Sequence, residues 1–312
     1  MNIVVTGGTG FIGRALCRSL VRQGMSVTVL SRNPLQAKAG LDSAIKVVEW
    51  DGMTSGMWET ELASATAVIN LAGAPIAEGR WTKKRKWLIV DSRVNATRLL
   101  AQAISRLTNK PRVLISASGV GYYGTSKDIR FDERNGAGAD FMARLCVAWE
   151  EAALAAQSAG VRVVCLRIGM VLERDGGALA KMLPPFRAFV GGPIAPGTQW
   201  VSWIHRADLI GLIEWALKNE KLSGPVNAVA PGAVTMKEFC RTLGRVLNRP
   251  SWLPVPGFAL RLAFGELASF MTTGQRVIPK VALDGGYQFR YPQLTSALQA
   301  IVTKTTSSEV SS

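Results

Sequence analysis

The sequence predicts an α/β fold: a Rossmann-type, doubly wound parallel sheet with a small C-terminal lobe on its substrate side. Three observations lead to this prediction. Short apolar runs alternate with amphipathic helical segments through the first half of the 312-residue chain. The first run ends in a glycine-rich loop, and the alternation later gives way to a segment rich in Gly and Pro. That change is typical of a loop region beside a substrate site.

Six runs predict the strands of the sheet. In the first, NIVVTGG, the β-branched residues Ile3, Val4 and Val5 precede glycine. The fourth, ATAVINLAG (65–73), is almost continuously apolar, as expected of a strand that is buried on both faces. The others are SVTVLSR (26–32), IKVVEWD (45–51), RVLISAS (112–118) and VRVVCLRIG (161–169).

Helical periodicity separates these runs. After the first strand, Ile12, Leu16 and Leu20 recur at helical spacing and Gly24 ends the helix. KWLIVDSRVNATRLLAQAIS (86–105) predicts one long helix, and a further helix is predicted over about 140–159. The sheet is therefore expected to carry helices between successive parallel strands.

The composition is that of a globular protein, with 48% hydrophobic and 19% charged residues. No apolar run is long enough to span a bilayer, and the N-terminus does not resemble a signal peptide. The four cysteines form no CxxC pair and there is one histidine. We therefore expect no metal site, reduced thiols and a cytoplasmic location.

The net charge of +15 leaves two interpretations open for the cluster TKKRKW (82–87). Basic residues between tryptophans can form a nucleic-acid surface. They can equally be the solvated first turns of the long helix, and this second interpretation is favoured. A nucleic-acid partner is therefore not expected, and the oligomeric state is left open.

The loop after the first strand has the spacing GxxGxxG, at Gly7, Gly10 and Gly13. Such glycines allow a tight turn, close approach of a pyrophosphate, and packing of the helix on the sheet. The N–H groups at the helix N-terminus then face the phosphates. The predicted dinucleotide contacts in this loop are Gly7, Thr9, Gly10, Phe11, Ile12 and Gly13.

The end of the second strand predicts which dinucleotide is preferred. Enzymes that prefer NAD usually place Asp or Glu there, on the ribose 2′-hydroxyl. This chain has Ser31 and Arg32 instead. Because a guanidinium can pair with a 2′-phosphate, the predicted cofactor is NADP(H).

The segments TGGTGFIG, NLAG and SRVNATRLL resemble the extended short-chain dehydrogenase/reductase superfamily. NLAGAPIAEGRW, SGVGYYG, KMLPPFRAFVGGPIAPG, SWIHRADL and GQRVIPK resemble one branch of it, the epimerase-family proteins of the SDR39U type. The resemblance implies NADP binding and a small C-terminal domain. We expect an NADP-binding Rossmann domain at 1–248 with a substrate-lobe segment at about 176–203, a C-terminal domain at 249–302 and a flexible tail at 303–312.

The superfamily pattern implies a Ser or Thr followed by Tyr-x-x-x-Lys, with the Tyr transferring a proton and the Lys lowering its pKa. Ser118 lies where the resemblance places the Ser. The helix that should carry the pair reads DFMARLCVAWE; counting back from Glu150 puts Cys146 at the Lys position and Met142 at the Tyr position. Tyr122 and Tyr123 are therefore the candidate proton donors, with packing as their alternative role.

Further cofactor contacts follow from the resemblance. Leu71, Ala72 and Gly73 end the fourth strand, where backbone passes the adenosine ribose. Arg93 begins a stretch that resembles the cofactor-facing helix, and Val171 follows the sixth strand near the nicotinamide.

Two functions fit these residues. The first is an NADP(H)-dependent oxidoreductase or epimerase that acts on an unidentified small molecule without the usual Tyr-x-x-x-Lys pair. The second is an NADPH-binding regulatory protein that acts through a protein partner without turnover.

Overall fold

The structure is a computed structural model, and it describes residues 1–303. The strands, in chain order, are β1 (Asn2–Thr6), β2 (Ser26–Ser31), β3 (Lys46–Glu49), β4 (Ala67–Asn70), β5 (Val113–Gly119), β6 (Arg130–Phe131), β7 (Arg162–Ile168), β8 (Met170–Leu172), β9 (Trp200–Val201), β10 (Trp203–His205), β11 (Gly224–Ala228), β12 (Val234–Thr235) and β13 (Arg276–Val277). The α-helices are α1 (Phe11–Arg22), α2 (Pro34–Gly40), α3 (Glu59–Ala63), α4 (Lys83–Val90), α5 (Ala96–Arg106), α6 (Phe141–Leu154), α7 (Gly177–Arg187), α8 (Arg206–Lys218), α9 (Met236–Leu247), α10 (Gly257–Phe264), α11 (Leu267–Thr272), α12 (Lys280–Asp284) and α13 (Leu294–Thr303).

The central sheet has seven strands in the order β3-β2-β1-β4-β5-β7-β11. Every neighbouring pair is parallel. This is the doubly wound order, in which successive strands are added first on one side of β1 and then, from β4 onward, on the other side. The predicted fold class and its six strands are confirmed.

The seventh strand, β11, was not predicted from the sequence. Its residues GPVNA include Pro225 and Asn227, which are poor strand formers. Pro225 is tolerated because β11 is the last strand of the sheet and pairs on one side with β7.

Helices cover both faces of the sheet. On one face, Ile3 and Val5 of β1 pack with residues of α1 and α8 such as Leu16 and Leu212. On the other, Val4 packs with α5 and α6. Because successive strand residues point to opposite faces, a strand buried on both sides reads as a continuous apolar run.

The predicted long helix is present but changes its winding part-way. A π-helical turn over Asp91–Asn95 joins α4 to α5. The basic cluster forms the first turns of α4, where the Thr82 hydroxyl caps Arg85 and the Lys86 ammonium pairs with Glu266 at 2.6 Å. This placement agrees with the helical interpretation of the cluster.

The Gly- and Pro-rich segment is more ordered than its composition predicts. The expected loop region contains the helix α7, in which Leu179, Leu183 and Phe186 are buried on one face. Pro184 and Pro185 are accommodated in the last turns of this helix.

Helices complete the described C-terminal part. α13 packs against α9 through Leu294, Ala297, Leu298 and Ile301. The domain boundaries stay predictions, and residues 304–312 of the predicted tail lie outside the described residues. Within the described range, no helix combines the length and the hydropathy needed to cross a membrane.

Candidate cofactor site and the adjoining buried polar network

The glycine-rich loop connects β1 to α1 in a space that side chains could not share. Gly7 has a φ of +69°, and a Cβ there would lie 2.6 Å from the Leu71 carbonyl carbon. A Cβ at Gly13 would overlap the carbonyl oxygen of Gly7. The loop therefore lies directly against the chain that leaves β4, at the reversal point of the sheet.

The N-terminus of α1 is open to a ligand. Gly10 is the N-cap residue and contributes no side-chain cap, and the first turn carries no acidic residue. Thr9 and Gly10 are exposed, Phe11 and Ile12 are partly buried, and the helix dipole adds positive potential. These features suit the pyrophosphate of a dinucleotide.

Val171 lies near this helix terminus, and the glycines Gly176 and Gly177 lie between the two. The Val171 carbonyl oxygen and the Phe11 ring both lie within 3.4 Å of where a Gly177 Cβ would be. A side chain at Gly176 would overlap the same ring. The structure thus brings Val171 and Phe11 together from opposite halves of the sequence.

The end of β2 presents a free cation. Arg32 is exposed, and none of the ion pairs within residues 1–303 includes it. The Ser31 hydroxyl accepts the Asn33 N–H at 3.3 Å, and the Asn33 side chain then caps α2. This local turn keeps Arg32 outside the helix, beside the carboxyl edge of the sheet.

The buried side chain of Arg93 packs against the loop after β4. Leu71–Gly73 follow the strand directly, and a Cβ at Gly73 would lie 2.8 Å from the guanidinium carbon of Arg93. Arg93 is 7% exposed. Burial lowers its pKa to about 10.

A buried polar network continues from the end of β5. The Ser118 hydroxyl donates to Glu150 at 2.7 Å, and the Arg167 guanidinium donates to both oxygens of Glu150 at 2.9 Å. Arg167 also donates to the Tyr123 hydroxyl at 2.9 Å, which donates to Asn227 at 2.8 Å. The network joins β5, α6, β7 and β11.

The network bears on the predicted catalytic residues. Ser118 and Tyr123 are 4% and 3% exposed, and burial raises the pKa of Tyr123 to about 12. Tyr122 is partly exposed, and its ring centroid lies 3.3 Å from the Arg167 guanidinium carbon. The catalytic roles of all three stay predictions; the contacts weigh against Ser118 and Tyr123 because their hydroxyls already have buried partners.

One face of α6 follows the chain that leaves β5. Met142 lies against Gly121, Cys146 lies against Gly119 and Gly121, and Glu150 binds Ser118. Residues four apart share a helix face, so this order agrees with the register inferred from the sequence. Cys146 is buried, and burial raises the pKa of its thiol to about 11.

Comparisons with known proteins decide the family. Residues 3–229 match the NAD dependent epimerase/dehydratase family, and residues 255–301 match a domain of unknown function, DUF1731. The chain belongs to the NAD dependent epimerase/dehydratase family.

Similarity to individual relatives extends over almost the whole chain. It is 43% identical to the chloroplastic SDR39U1 homolog of Arabidopsis thaliana, over 97% of this chain and 87% of the relative. It is 38% identical to human SDR39U1, over 97% of this chain and all of the relative. The crystal structure of human SDR39U1 with NADPH superposes with a TM-score of 0.85 at 35% identity, covering 97% of this chain and 99% of that one. The resemblance to the SDR39U type is thereby confirmed.

The buried polar network is the part of the site that was not predicted from the sequence. Arg167 and Asn227 were not predicted to contribute, and Glu150 served as a landmark for the register of α6. A signal exists for Arg167, because a charge inside the apolar run VRVVCLRIG is expensive to bury without a partner. The sequence does not predict which residue that partner is.

Proposed function

We propose that this protein binds NADP(H) and acts as an oxidoreductase or an epimerase on a small molecule. The observation that carries the proposal is the uncapped, glycine-lined N-terminus of α1, which follows β1, together with the exposed Arg32 at the end of the adjacent strand β2. The NADPH in the crystal structure of human SDR39U1 supports the same cofactor for this chain.

The described residues fit such a cofactor. The backbone N–H groups at Phe11, Ile12 and Gly13 would hold the pyrophosphate, and Ser31 and Arg32 would bind the 2′-phosphate. The backbone at Leu71–Gly73 would pass the adenosine ribose, and Val171 would contact the nicotinamide half. When bound, the nicotinamide ring donates or accepts a hydride.

The proton must move without the usual Tyr-x-x-x-Lys pair. The sequence of α6, FMARLCVAWEEAAL, contains neither Tyr nor Lys. A thioether at Met142 cannot donate a proton, and Cys146 is neutral and buried. Among the predicted residues, Tyr122 is the one whose side chain is neither buried nor hydrogen-bonded within residues 1–303, so the proton-transfer role falls best on Tyr122.

The second candidate function is cofactor sensing without turnover, through a protein partner. The observation that favours it is the burial of Ser118 and Tyr123 within a structural network. Turnover distinguishes the two functions: an activity on carbonyl or sugar substrates that Tyr122→Phe abolishes supports the enzyme. An activity that Tyr122→Phe leaves unchanged removes Tyr122 from the mechanism.

The first experiment is a fluorescence titration of the protein with NADPH and NADH. The wild type is expected to bind NADPH about tenfold or more tightly than NADH, since a charge-assisted contact to phosphate contributes about 1.5–3 kcal/mol. Arg32→Ala is expected to reduce NADPH affinity to the NADH level. Equal binding of both nucleotides by the wild type would contradict the 2′-phosphate assignment.

A further inference from the structure

The structure exposes a group of large apolar side chains around α10. Six of them have exposed fractions between 52% and 76%: Phe189, Val190, Trp252, Leu253, Phe258 and Leu262. They belong to the turn after α7, the connection between α9 and α10, and α10 itself. Single exposed apolar residues are ordinary, but a contiguous group of this size marks an interaction surface. Together these six side chains form the apolar surface of the protein.

Backbone contacts hold the parts of the apolar surface together. The Trp252 indole N–H donates to the Phe189 carbonyl at 3.0 Å, which joins the turn after α7 to the chain that follows α9. The chain then stays exposed from Trp252 to Pro256, the N-cap residue of α10. Phe258 and Leu262 are four residues apart, so they share one face of that helix.

Phe189 is held in the apolar surface by an unusual backbone conformation. Its φ is +63°, in the left-handed region that bulky residues rarely adopt. The Arg249 guanidinium carbon lies 4.4 Å from the centroid of its ring. Backbone strain of this kind persists where the surrounding structure maintains it, and it is concentrated at functional positions.

Arginines border the apolar surface. Arg187 is the last residue of α7, Arg249 contacts the Phe189 ring, and Arg261 is exposed on α10. Within the described part of the chain, no ion pair includes any of these three arginines. The two stretches that form the surface, 176–204 and 239–265, contain six Lys or Arg residues and no Asp or Glu. The apolar surface therefore has a positively charged border.

This charge favours a negatively charged occupant. A second copy of the chain would bring the same arginines together across a two-fold interface, where like charges repel.

The shape of the surface favours a bilayer over a protein partner. Protein partners usually seat anchor side chains in recesses. The cavity of about 370 Å³ beside α10 is lined by none of the six apolar side chains; its lining residues are Ala195, Pro196, Gly257, Arg261 and Thr272. A bilayer needs no recess, because protruding Trp, Phe and Leu side chains enter the boundary between headgroups and acyl chains.

We propose that the apolar surface docks on an anionic lipid bilayer. The six apolar side chains enter the headgroup boundary, and Arg187, Arg249 and Arg261 bind lipid phosphates. The protein then lies on the membrane without crossing it, in agreement with the finding that no described helix could span one. The inference does not depend on the proposed function, because none of these residues belongs to the cofactor site.

Co-sedimentation with vesicles tests the inference, using phosphatidylcholine alone and with about one-third phosphatidylglycerol. The wild type is expected to bind the anionic vesicles about tenfold or more tightly than the neutral ones, and to lose this preference at about 1 M salt. Phe258→Ala combined with Leu262→Ala is expected to weaken binding to anionic vesicles about tenfold or more, because two inserted side chains are lost. The matched control is Leu35→Ala combined with Met57→Ala, which truncates side chains 83% and 81% exposed elsewhere on the protein. It should change binding less than about twofold.

A second pair of double variants separates the arginine border from the charge of the whole molecule. Arg187→Gln combined with Arg261→Gln is expected to weaken binding to anionic vesicles about tenfold or more. Arg18→Gln combined with Arg22→Gln removes the same charge from exposed positions of α1 and should have less than about a threefold effect. Equal weakening by the two pairs overturns the assignment to this surface.

The free protein supplies the remaining outcomes. Because all the substituted side chains are exposed, the variants are expected to melt at the wild-type temperature; if the Phe258 and Leu262 variant does not, the arginine pair decides. A wild type that binds neither kind of vesicle overturns the inference. A dimer that is dissociated by the Phe258 and Leu262 substitutions in sedimentation velocity also overturns it, because a second copy would then cover the apolar surface.

Discussion

Gly13 lies where α1 meets the loop that follows β1, and its α-carbon faces the Gly7 carbonyl group. We expect Gly13→Ala to weaken NADPH binding at least about tenfold, because the added methyl group separates the helix from the loop that positions the phosphates. Gly40→Ala is the matched control: a Cβ at Gly40, at the end of α2, meets no atom within 4 Å. Titration of both variants checks the prediction, and equal effects would mean that packing at Gly13 is not what forms the site.

Glu133 is a second residue whose environment makes a testable prediction. One carboxylate oxygen accepts the N–H groups of Asn227 and Val281 at 2.9 and 3.2 Å, and the other is buried without a partner. Burial raises the pKa of this carboxyl above its usual range, and the two N–H contacts offset only part of that effect.

The direction of the pH effect follows from this raised pKa. The protonated Glu133 carboxyl contributes its full share to stability at pH values below the pKa that it has in the unfolded chain. That contribution is lost as the pH rises through the higher pKa that the carboxyl has in the folded protein. Glu133→Gln keeps an acceptor oxygen and does not ionise. We expect the free energy of unfolding of Glu133→Gln, relative to that of the wild type, to increase as the pH rises from about 4 to about 8. Urea denaturation at several pH values measures this difference. A constant difference across that range would show that the carboxylate is not destabilised by burial.

The elements around the network depend on the Arg167–Glu150 pair, which links β7 to α6. Both side chains are less than 10% exposed and lie 2.9 Å apart. Removing one partner leaves the other charge buried, so Arg167→Met is expected to lower the free energy of unfolding by about 3–5 kcal/mol. The control is the exposed pair Lys280–Asp284 in α12, where Lys280→Ala should change it by less than about 0.5 kcal/mol. Similar losses in the two variants would contradict the structural role of the network.

Most of the strands predicted from the sequence are buried ones, and their burial is visible in local composition. β4 is apolar at most positions because it is covered on both faces. β11 was not predicted because an edge strand tolerates Pro225 and Asn227, which are poor strand formers. α7 was not predicted because its two prolines argue against a helix, whereas burial of Leu179, Leu183 and Phe186 stabilises it. The glycine loop was located because its function depends on a short local motif.

The polar network could not be found in the same way. Its members are distant in sequence: Ser118 and Glu150 are 32 residues apart, and Tyr123 and Asn227 are 104 apart. Their contacts exist only once the sheet order is fixed, and the sequence does not state which strand lies beside which. The same reason hid the approach of Arg93 to Gly73, which depends on the path of the long helix over β4.

The charge of the whole molecule makes the last prediction. The net charge of +15 produces a positive potential that attracts anions, and NADPH carries one phosphate more than NADH. Association of NADPH is therefore expected to slow more steeply with added salt than association of NADH, because screening shortens the range of attraction to about 10 Å at 0.1 M ionic strength. Arg32→Ala removes the contact to the 2′-phosphate but changes the net charge by one unit in fifteen. It should thus raise the dissociation rate of NADPH while leaving the salt dependence of association nearly unchanged, as measured by stopped-flow fluorescence. If Arg32→Ala instead abolished the salt dependence, the attraction would come from this one guanidinium rather than from the field of the molecule.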